Sequence, residues 1–248
     1  MLKRSRVIIL HRTPYRETSL VVKGFSRDFG VQSFLVKSAR SKNSPFQGSL
    51  DPLAESEIVF NDSGKSDLHF IREASLVEWF PNLRKDLERS AMASVISEIL
   101  LRYMPAGIPQ ELEFRYTEKA LKVLDRGPNE NDALVRWMWH IMDLSGYALS
   151  LGECIRCGKN ISGAPSDFLF ESGGALCKRC LGSFEPRHDP LFLSDIARLS
   201  SGEALLDPRT LEREFFKYLK NHLGENREIK SYHWLQEVRN YAFRNPNP

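Results

Sequence analysis

Residues 18–37, TSLVVKGFSRDFGVQSFLVK, decide the reading of the fold. Two runs rich in β-branched and aromatic residues, 18–25 and 31–37, are joined by Arg27-Asp28-Phe29-Gly30, where Gly30 can take the positive φ that closes a hairpin with a bulge. Working outward, the same texture recurs at 6–12, 55–60 and 68–76, with 61–67 as the turn between the last two. No helix long enough to cover a parallel sheet separates these five short runs. They predict a small closed or partly closed barrel, and the oligonucleotide-binding fold is the five-stranded member of that group. Phe25 and Phe34, on strands, are expected to be core residues.

After Pro81 the apolar period changes from two to about 3.6, with Leu87, Met92, Val95, Ile96, Ile99 and Leu100 preceding the stop at Pro105. Further helices are expected at 110–126, 132–149, 193–200, 208–223 and 231–243. Asp132 is a candidate cap for the third helix, and Asp207-Pro208 has cap and first-turn proline in order for the fifth. Trp137, Trp139, Ile141, Met142 and Leu144 leave the third helix little polar face, so it should be the buried centre of a bundle. The tail 244–248 is expected to fray. The expected class is α+β: a barrel over 1–80, then helices over 81–248 interrupted by a small module at 152–183.

That module is marked by Cys154-Ile-Arg-Cys157 and Cys177-Lys-Arg-Cys180, with nineteen residues between the pairs. Thiolates two residues apart let one tight turn present two sulfurs to one ion, and two such turns complete the tetrahedral shell that zinc prefers. Gly158 suits the turn. The intervening segment carries Asn160, Gly163, Pro165, Gly173 and Gly174, too broken to build a core alone, so metal should supply its fold. A redox dithiol would need only one pair, and an iron-sulfur cluster also accepts four thiolates. A closed four-cysteine shell has no open position at which to activate water, which argues against metal catalysis.

The chain has 248 residues, 42% hydrophobic and 27% charged, an ordinary globular composition with enough apolar content for a real core. No stretch approaches the roughly 18 apolar residues that span a bilayer. Four paired cysteines suit a reducing compartment, so a cytoplasmic protein is expected. The net charge is only +3, but residues 1–50 hold ten basic side chains against two acids, a balance of +8, leaving 25 against 30 elsewhere. Such asymmetry makes the N-terminal part the expected face for a polyanion.

Within it, Arg12, Arg16, Arg27, Lys37, Arg40 and Lys42 are interleaved with aromatics. Tyr15 and Phe46, in loops beside Pro14 and Pro45, are candidates for base stacking. The segment Lys37-Ser-Ala-Arg40-Ser-Lys42 suits backbone phosphates better than base edges. Catalytic signatures are missing. No histidine has Glu two places on, as zinc deaminases require, and His-Glu-x-x-His, Gly-x-Ser-x-Gly and Gly-x-Gly-x-x-Gly do not occur. Gly64-Lys65-Ser66 resembles the end of a P-loop but lacks its first glycine and reads as a turn. Glu55, Glu57, Asp62 and Asp67 flank a hairpin and are expected to face water rather than converge on a carboxylate site. A zinc-ribbon nucleic-acid-processing enzyme and a zinc-ribbon transcription factor are the alternatives at this point.

Tyr15-Arg-Glu17-Thr-Ser-Leu-Val21-Val22, Phe25-Ser-Arg-Asp-Phe-Gly30, Val36-Lys37-Ser-Ala39-Arg40 and Leu50-Asp-Pro52, followed by helices interrupted by paired Cys-x-x-Cys, resemble the bacterial recombination mediator family RecO. Ser38 stands where that family usually has glycine. The resemblance implies an N-terminal oligonucleotide-binding barrel, a C-terminal helical domain and a zinc-binding insert holding one structural zinc through Cys154, Cys157, Cys177 and Cys180. It further implies binding of single- and double-stranded DNA, annealing of complementary strands, and loading of RecA with RecR onto DNA coated by single-strand binding protein. No catalysis is implied. The helical domain is implied to hold the acidic, phenylalanine-terminated tail of single-strand binding protein in an apolar groove, for which Arg102, Arg115, Lys119 and Lys122 are candidate rim residues.

Overall fold

The structure is a computed structural model that describes residues 1–62, 67–169, 172–183, 187–222 and 228–244. Gly64-Lys65-Ser66 and the last four residues lie outside the described residues. The chain forms two compact units, Met1–Gly127 with Ile229–Pro248, and Pro128–Glu228.

The first unit is built on β1 (Leu2–Tyr15), β2 (Ser19–Ser26), β3 (Gly30–Val36), β4 (Glu55–Asn61) and β5 (Leu68–Glu78). They close into a barrel in the order β1-β2-β3-β5-β4, antiparallel except where β3 runs parallel to β5 with Leu35 opposite Phe70. Alternation sets the core, because successive side chains of a strand face opposite sides. Val7 and Ile9, Leu20 and Val22, Phe34 and Val36, and Ile58 and Phe60 all enter one buried cluster. Ile8 and Leu10, of the other parity, are buried too, since α1 packs against β1. This is why the run Val7–Leu10 is apolar throughout. Phe25 and Phe34 are fully buried.

The first strand extends past Pro14, which pairs with Leu20 near the strand end, a position that tolerates a missing N–H. Gly30 closes the β2–β3 turn at φ 64°, and a Cβ there would lie 2.3 Å from the Pro105 carbonyl oxygen, so glycine is required twice over. Ser38 holds φ 56°, the left-handed region that favours glycine.

Three helices complete this unit: α1 (Leu87–Tyr103), α2 (Glu111–Arg126) and α7 (Lys230–Arg244). Asp86 caps α1 by accepting from the Arg89 N–H at 2.9 Å. Buried Asp125 of α2 accepts from the Asn82 and Leu83 N–H groups of a 3₁₀ turn, at 2.7 and 3.2 Å. The C-terminal helix α7 returns to α1: Glu98 accepts from the Lys230 and Ser231 N–H groups at 3.2 and 2.7 Å, and Arg239 pairs with Glu88 at 2.7 Å.

The second unit contains α3 (Glu130–Leu144), β6 (Ser150–Cys154), β7 (Asp167–Leu169), β8 (Gly174–Leu176), α4 (Lys178–Leu181), α5 (Pro190–Ser201) and α6 (Pro208–His222), with a three-stranded sheet in the order β6-β8-β7. As the apolar pattern predicts, Trp137, Met138, Ile141 and Met142 of α3 are buried. Asp132 is not its cap. The helix starts at Glu130 after Asn129, so Asp132 lies in the first turn, where its carboxylate accepts from the Leu205 N–H at 3.3 Å and pairs with Arg136 at 3.5 Å. Asp207 does cap α6, accepting from the Thr210 N–H at 3.2 Å. Asp189 caps α5 at 2.8 Å with Pro190 in the first turn, which moves that helix start three residues ahead of the expected Leu193. Among the described residues no helix is long and apolar enough to cross a membrane.

Candidate metal centre and nucleic-acid interface

Local backbone geometry gathers the four cysteines. Cys154 ends β6, and the chain turns back at once: the Cys157 and Gly158 N–H groups donate to the Cys154 carbonyl at 3.2 and 2.8 Å, with Gly158 at φ 65°. Cys177 follows β8, and its carbonyl accepts from Cys180 and Leu181, both at 3.0 Å. Because β6 pairs with β8, with Cys154 opposite Ala175, the two turns meet. Gly174 permits this approach, since a Cβ there would meet the Ile155 side chain at 2.8 Å.

All four sulfurs lie within 4.8 Å of one another, and Cys157 Sγ is 3.8 Å from Cys177 Sγ. A tetrahedral zinc thiolate with bonds of about 2.3 Å has sulfur-to-sulfur edges of roughly 3.8 Å, so the cluster fits such an ion. Its electrostatics suit a cation as well. Burial opposes charge on Cys154, yet the N–H groups of Cys177, Arg156 and Cys157 bring its thiol down to about 6. Hydrogen bonding to the Cys157 sulfur, followed by burial, pushes Cys180 up to about 12. Thiolates this crowded share charge with difficulty unless a divalent cation neutralises them. The cluster can therefore hold one metal ion in a closed shell. The surrounding module buries Phe168, Ala175 and Leu176, a small core that the segment's glycine and proline content hides.

The barrel places the predicted cations in two groups. Arg12 pairs with Asp51 at 2.6 Å and Arg27 with Asp28 at 3.2 Å. Arg16, Lys37, Arg40 and Lys42 gather at one end of the barrel, where β1 turns into β2 and β3 ends. There the Arg40 N–H donates to the Thr18 carbonyl at 2.8 Å and its guanidinium to the Arg16 carbonyl at 3.4 Å. Among the described residues none of these four has a carboxylate partner. Tyr15, 39% exposed, lies under the Arg16 guanidinium at 5.2 Å. Phe46 is half-buried against the barrel core.

One contributor escaped the sequence reading. Phe70 of β5 is 41% exposed and sits 5.6 Å beneath Lys37 Nζ, in a groove of about 410 Å³ shared with Leu35, Phe46 and Arg72. His69 and Ile71 face inward, so alternation turns Phe70 out, although Leu68-His69-Phe70-Ile71 does not show in sequence which parity meets the core.

On the helices, Arg115, Lys119 and Lys122 fall at i, i+4 and i+7 of α2 and are all exposed, Lys122 being paired with Glu118 at 2.5 Å. Arg102 lies on α1 and is ion-paired with Glu98. The acids around the β4–β5 hairpin do not all face water. Glu55 is fully buried and paired with Arg6, because α2 covers that face of the barrel and supplies Glu118 to the same guanidinium at 3.2 Å. Asp62 pairs with Lys3 at 2.6 Å and Glu57 with Arg4 at 3.6 Å, so these acids disperse over separate cations.

Two family models match the chain: Recombination protein O N terminal over residues 1–80 and Recombination protein O C terminal over residues 84–228. Similar relatives include the DNA repair protein RecO of Anaeromyxobacter sp. (strain K), 28% identical over 243 residues that cover 93% of this chain and 94% of the relative. The DNA repair protein RecO of Geobacter metallireducens is 28% identical over 214 residues, 84% of this chain and 86% of its own. That of Desulfosudis oleivorans is 30% identical over 184 residues, 72% and 71% of the two chains.

Proposed function

The chain belongs to the recombination protein O family of DNA repair proteins, and from that premise we propose that it is a non-enzymatic, DNA-binding recombination mediator working in the cytoplasm. The barrel, residues 1–80, binds single- and double-stranded DNA and anneals complementary strands. The helical remainder, 81–248, carries the protein contacts. With RecR it helps load RecA onto DNA coated by single-strand binding protein.

The observation that carries this reading is the set Arg16, Lys37, Arg40 and Lys42, four cations without carboxylate partners among the described residues, gathered at one end of a closed five-stranded barrel beside exposed Tyr15 and Phe70. Unpaired cations bind phosphates by releasing condensed counterions, without regard to sequence, while the rings offer stacking surfaces to any base. Neutralising both backbones lowers the repulsion between two strands and lets them pair. Arg12 and Arg27 add to the field but are already held by acids.

The metal is proposed to be zinc, held by Cys154, Cys157, Cys177 and Cys180, in a structural role that ties together the β6 and β8 turns. The exposed α2 face with Arg115, Lys119 and Lys122 is proposed to rim the site of the acidic tail of single-strand binding protein, with Arg102 a secondary contributor because Glu98 already engages it.

The test is strand annealing with and without single-strand binding protein, scored in the absence of nucleotide and added metal. Acceleration of annealing under both conditions is expected. Acceleration only with a nucleotide or with magnesium would contradict a non-enzymatic mediator.

A further inference from the structure

Three strands put one row of side chains on the outer face of the barrel at its cationic end. Leu35 of β3 lies opposite Phe70 of β5, and Phe70 lies opposite Asn61 of β4. Paired residues face the same side of a sheet, so all three border the groove of about 410 Å³ that Lys37 overhangs. Arg72 joins them through a break in regular pairing. Phe60 is opposite Ile71 and Val59 is opposite Glu73, which leaves Arg72 as the extra residue of a β-bulge, a device that re-aims a side chain.

The re-aimed guanidinium is held in place. With the Asn61 amide oriented to satisfy its hydrogen bonds, its oxygen accepts from Arg72 Nη2 at 2.8 Å and from Arg72 Nε at 3.1 Å. Those bonds occupy one edge of the fork and leave the edge between Nη1 and Nη2 for a ligand. Arg72 is exposed and has no carboxylate partner among the described residues.

The donor set is one-sided. Of the described side chains that line the groove, only Asn61 carries an acceptor, and the two bonds from Arg72 fill it, so the Arg72 guanidinium and the Lys37 ammonium leave a wall of donors. Guanine alone among the bases presents two neighbouring acceptors, O6 and N7, on one edge. Adenine and cytosine place an amino donor there, and thymine a single acceptor. Leu35, Phe46 and Phe70 supply apolar walls, and the volume, at the small end of the range for small-molecule sites, suits one nucleoside rather than a stack of them.

We propose that this groove takes one unpaired guanine of a single strand, with the ring on Phe70 and O6 and N7 accepting from the Arg72 fork. The proposal rests on the reading of this barrel end as a single-strand site and adds to it a base preference. Asn61 is the positioning residue that fixes the guanidinium. Lys37, on its flexible stem, gives up the face of Phe70 to the base and turns to the adjoining phosphate. A paired base keeps both faces in the duplex stack, so the preference belongs to single strands.

The test uses the full-length, metal-loaded chain and an oligothymidylate of about ten residues, a length within the span of one barrel, with or without a single central guanine. Anisotropy titrations should show the guanine strand binding roughly fivefold or more tightly, the low end of what a bidentate guanine contact contributes. Hypoxanthine at that position, which keeps O6 and N7, should retain the preference; 7-deazaguanine, which lacks N7, and adenine should lose most of it. Arg72→Lys keeps the charge but not the fork, so it should bring the two strands to nearly equal affinity while leaving oligothymidylate binding close to that of the parent. Asn61→Ala should reduce the preference in the same direction. The base analogues test the unaltered chain, so the outcome does not depend on a variant that folds. Equal affinity of the parent for both strands, or a preference that survives 7-deazaguanine or Arg72→Lys, overturns the proposal. So does an Arg72→Gln variant whose only defect is a salt slope flatter by about 0.7 on both strands, because Arg72 would then be one more phosphate contact. Ordinary oligothymidylate binding without a guanine preference overturns this proposal alone, whereas failure of every oligonucleotide to bind overturns the reading of the barrel end with it.

Discussion

Arg6 of β1 and Glu55 of β4 form an ion pair on the outer face of the barrel, beneath α2, with the carboxylate wholly removed from solvent and the guanidinium 35% exposed. The same guanidinium reaches Glu118 of α2 at 3.2 Å, and Lys122 holds Glu118 from the other side at 2.5 Å, so a chain of four charges joins barrel to helix within one unit. Burial is the largest influence on Glu55 and raises its carboxyl above the usual range despite Arg6. Burial also opposes charge on Glu118, but Lys122 and Arg6 prevail and lower it.

These shifts have opposite signs in stability. Raised Glu55 makes the folded state hold its proton more tightly, so its contribution is fully present below the ordinary carboxylate pKa and declines as pH rises through the raised value. Lowered Glu118 contributes above the ordinary value and loses that contribution as pH falls. Arg6→Ala should therefore cost about 2 kcal/mol at neutral pH, below the roughly 3 to 5 of a fully enclosed pair because Arg6 keeps some solvent. The cost should shrink on acidification, once Glu55 is protonated and needs no counter-ion. Denaturant titrations of Arg6→Ala and Glu55→Gln across that window check this; a pH-independent loss for Arg6→Ala would contradict it.

Removing the metal should unfold the module around β6, β7 and β8 rather than leave an empty pocket, because four converging sulfurs without a cation repel and the local core is small. Cys177→Ser is expected to lower metal content and melting temperature together, and acidification should release the ion as protons compete for the thiolates. Elemental analysis against pH, with one zinc per chain at neutral pH, is the measurement.

Phe70→Ala should weaken single-stranded DNA binding by about 1 to 3 kcal/mol while leaving thermal stability nearly unchanged, since a ring 41% exposed contributes little to the core. Phe70→Trp should retain affinity. Fluorescence anisotropy with short oligonucleotides, beside thermal melts, separates lost stacking from lost fold.

Charge reversal at Arg115, Lys119 and Lys122 should weaken an acidic, phenylalanine-terminated peptide on the full chain without altering DNA affinity. Burial of the terminal ring supplies the non-ionic part, so salt should weaken the peptide only partly. Competition of that peptide with an oligonucleotide would place both ligands on the barrel.

Much of this architecture was legible in the sequence because it rests on local rules. The β-branched and aromatic runs on either side of the turn at 27–30 and at 6–12, 55–60 and 68–76 mark the five barrel strands, and the two Cys-x-x-Cys turns announced the sulfur cluster. Features hidden from the sequence depend on distant partners. Glu55 reads as a solvent-facing acid until Arg6 and α2 cover it, and nothing near 230 shows that α7 will draw its cap from Glu98 of α1. Asp132 misled because a cap is identified by where the helix begins, and Asn129 precedes that start. Phe70 is hidden for the same kind of reason: Leu68 and Phe70 are the more apolar parity at the start of β5, and only the closure of the barrel against β3 and β4 buries His69 and Ile71 instead.

The central claim is that Arg16, Lys37, Arg40 and Lys42 form the phosphate track. It is tested most directly by the salt dependence of single-stranded DNA affinity for the parent chain and for Lys37→Glu, Arg40→Glu, Lys42→Glu. Each phosphate contact contributes about 0.7 to the log-log slope on single strands, so losing three should flatten it by about 2 for every oligonucleotide sequence. An unchanged slope, or a loss confined to particular sequences, would contradict the account.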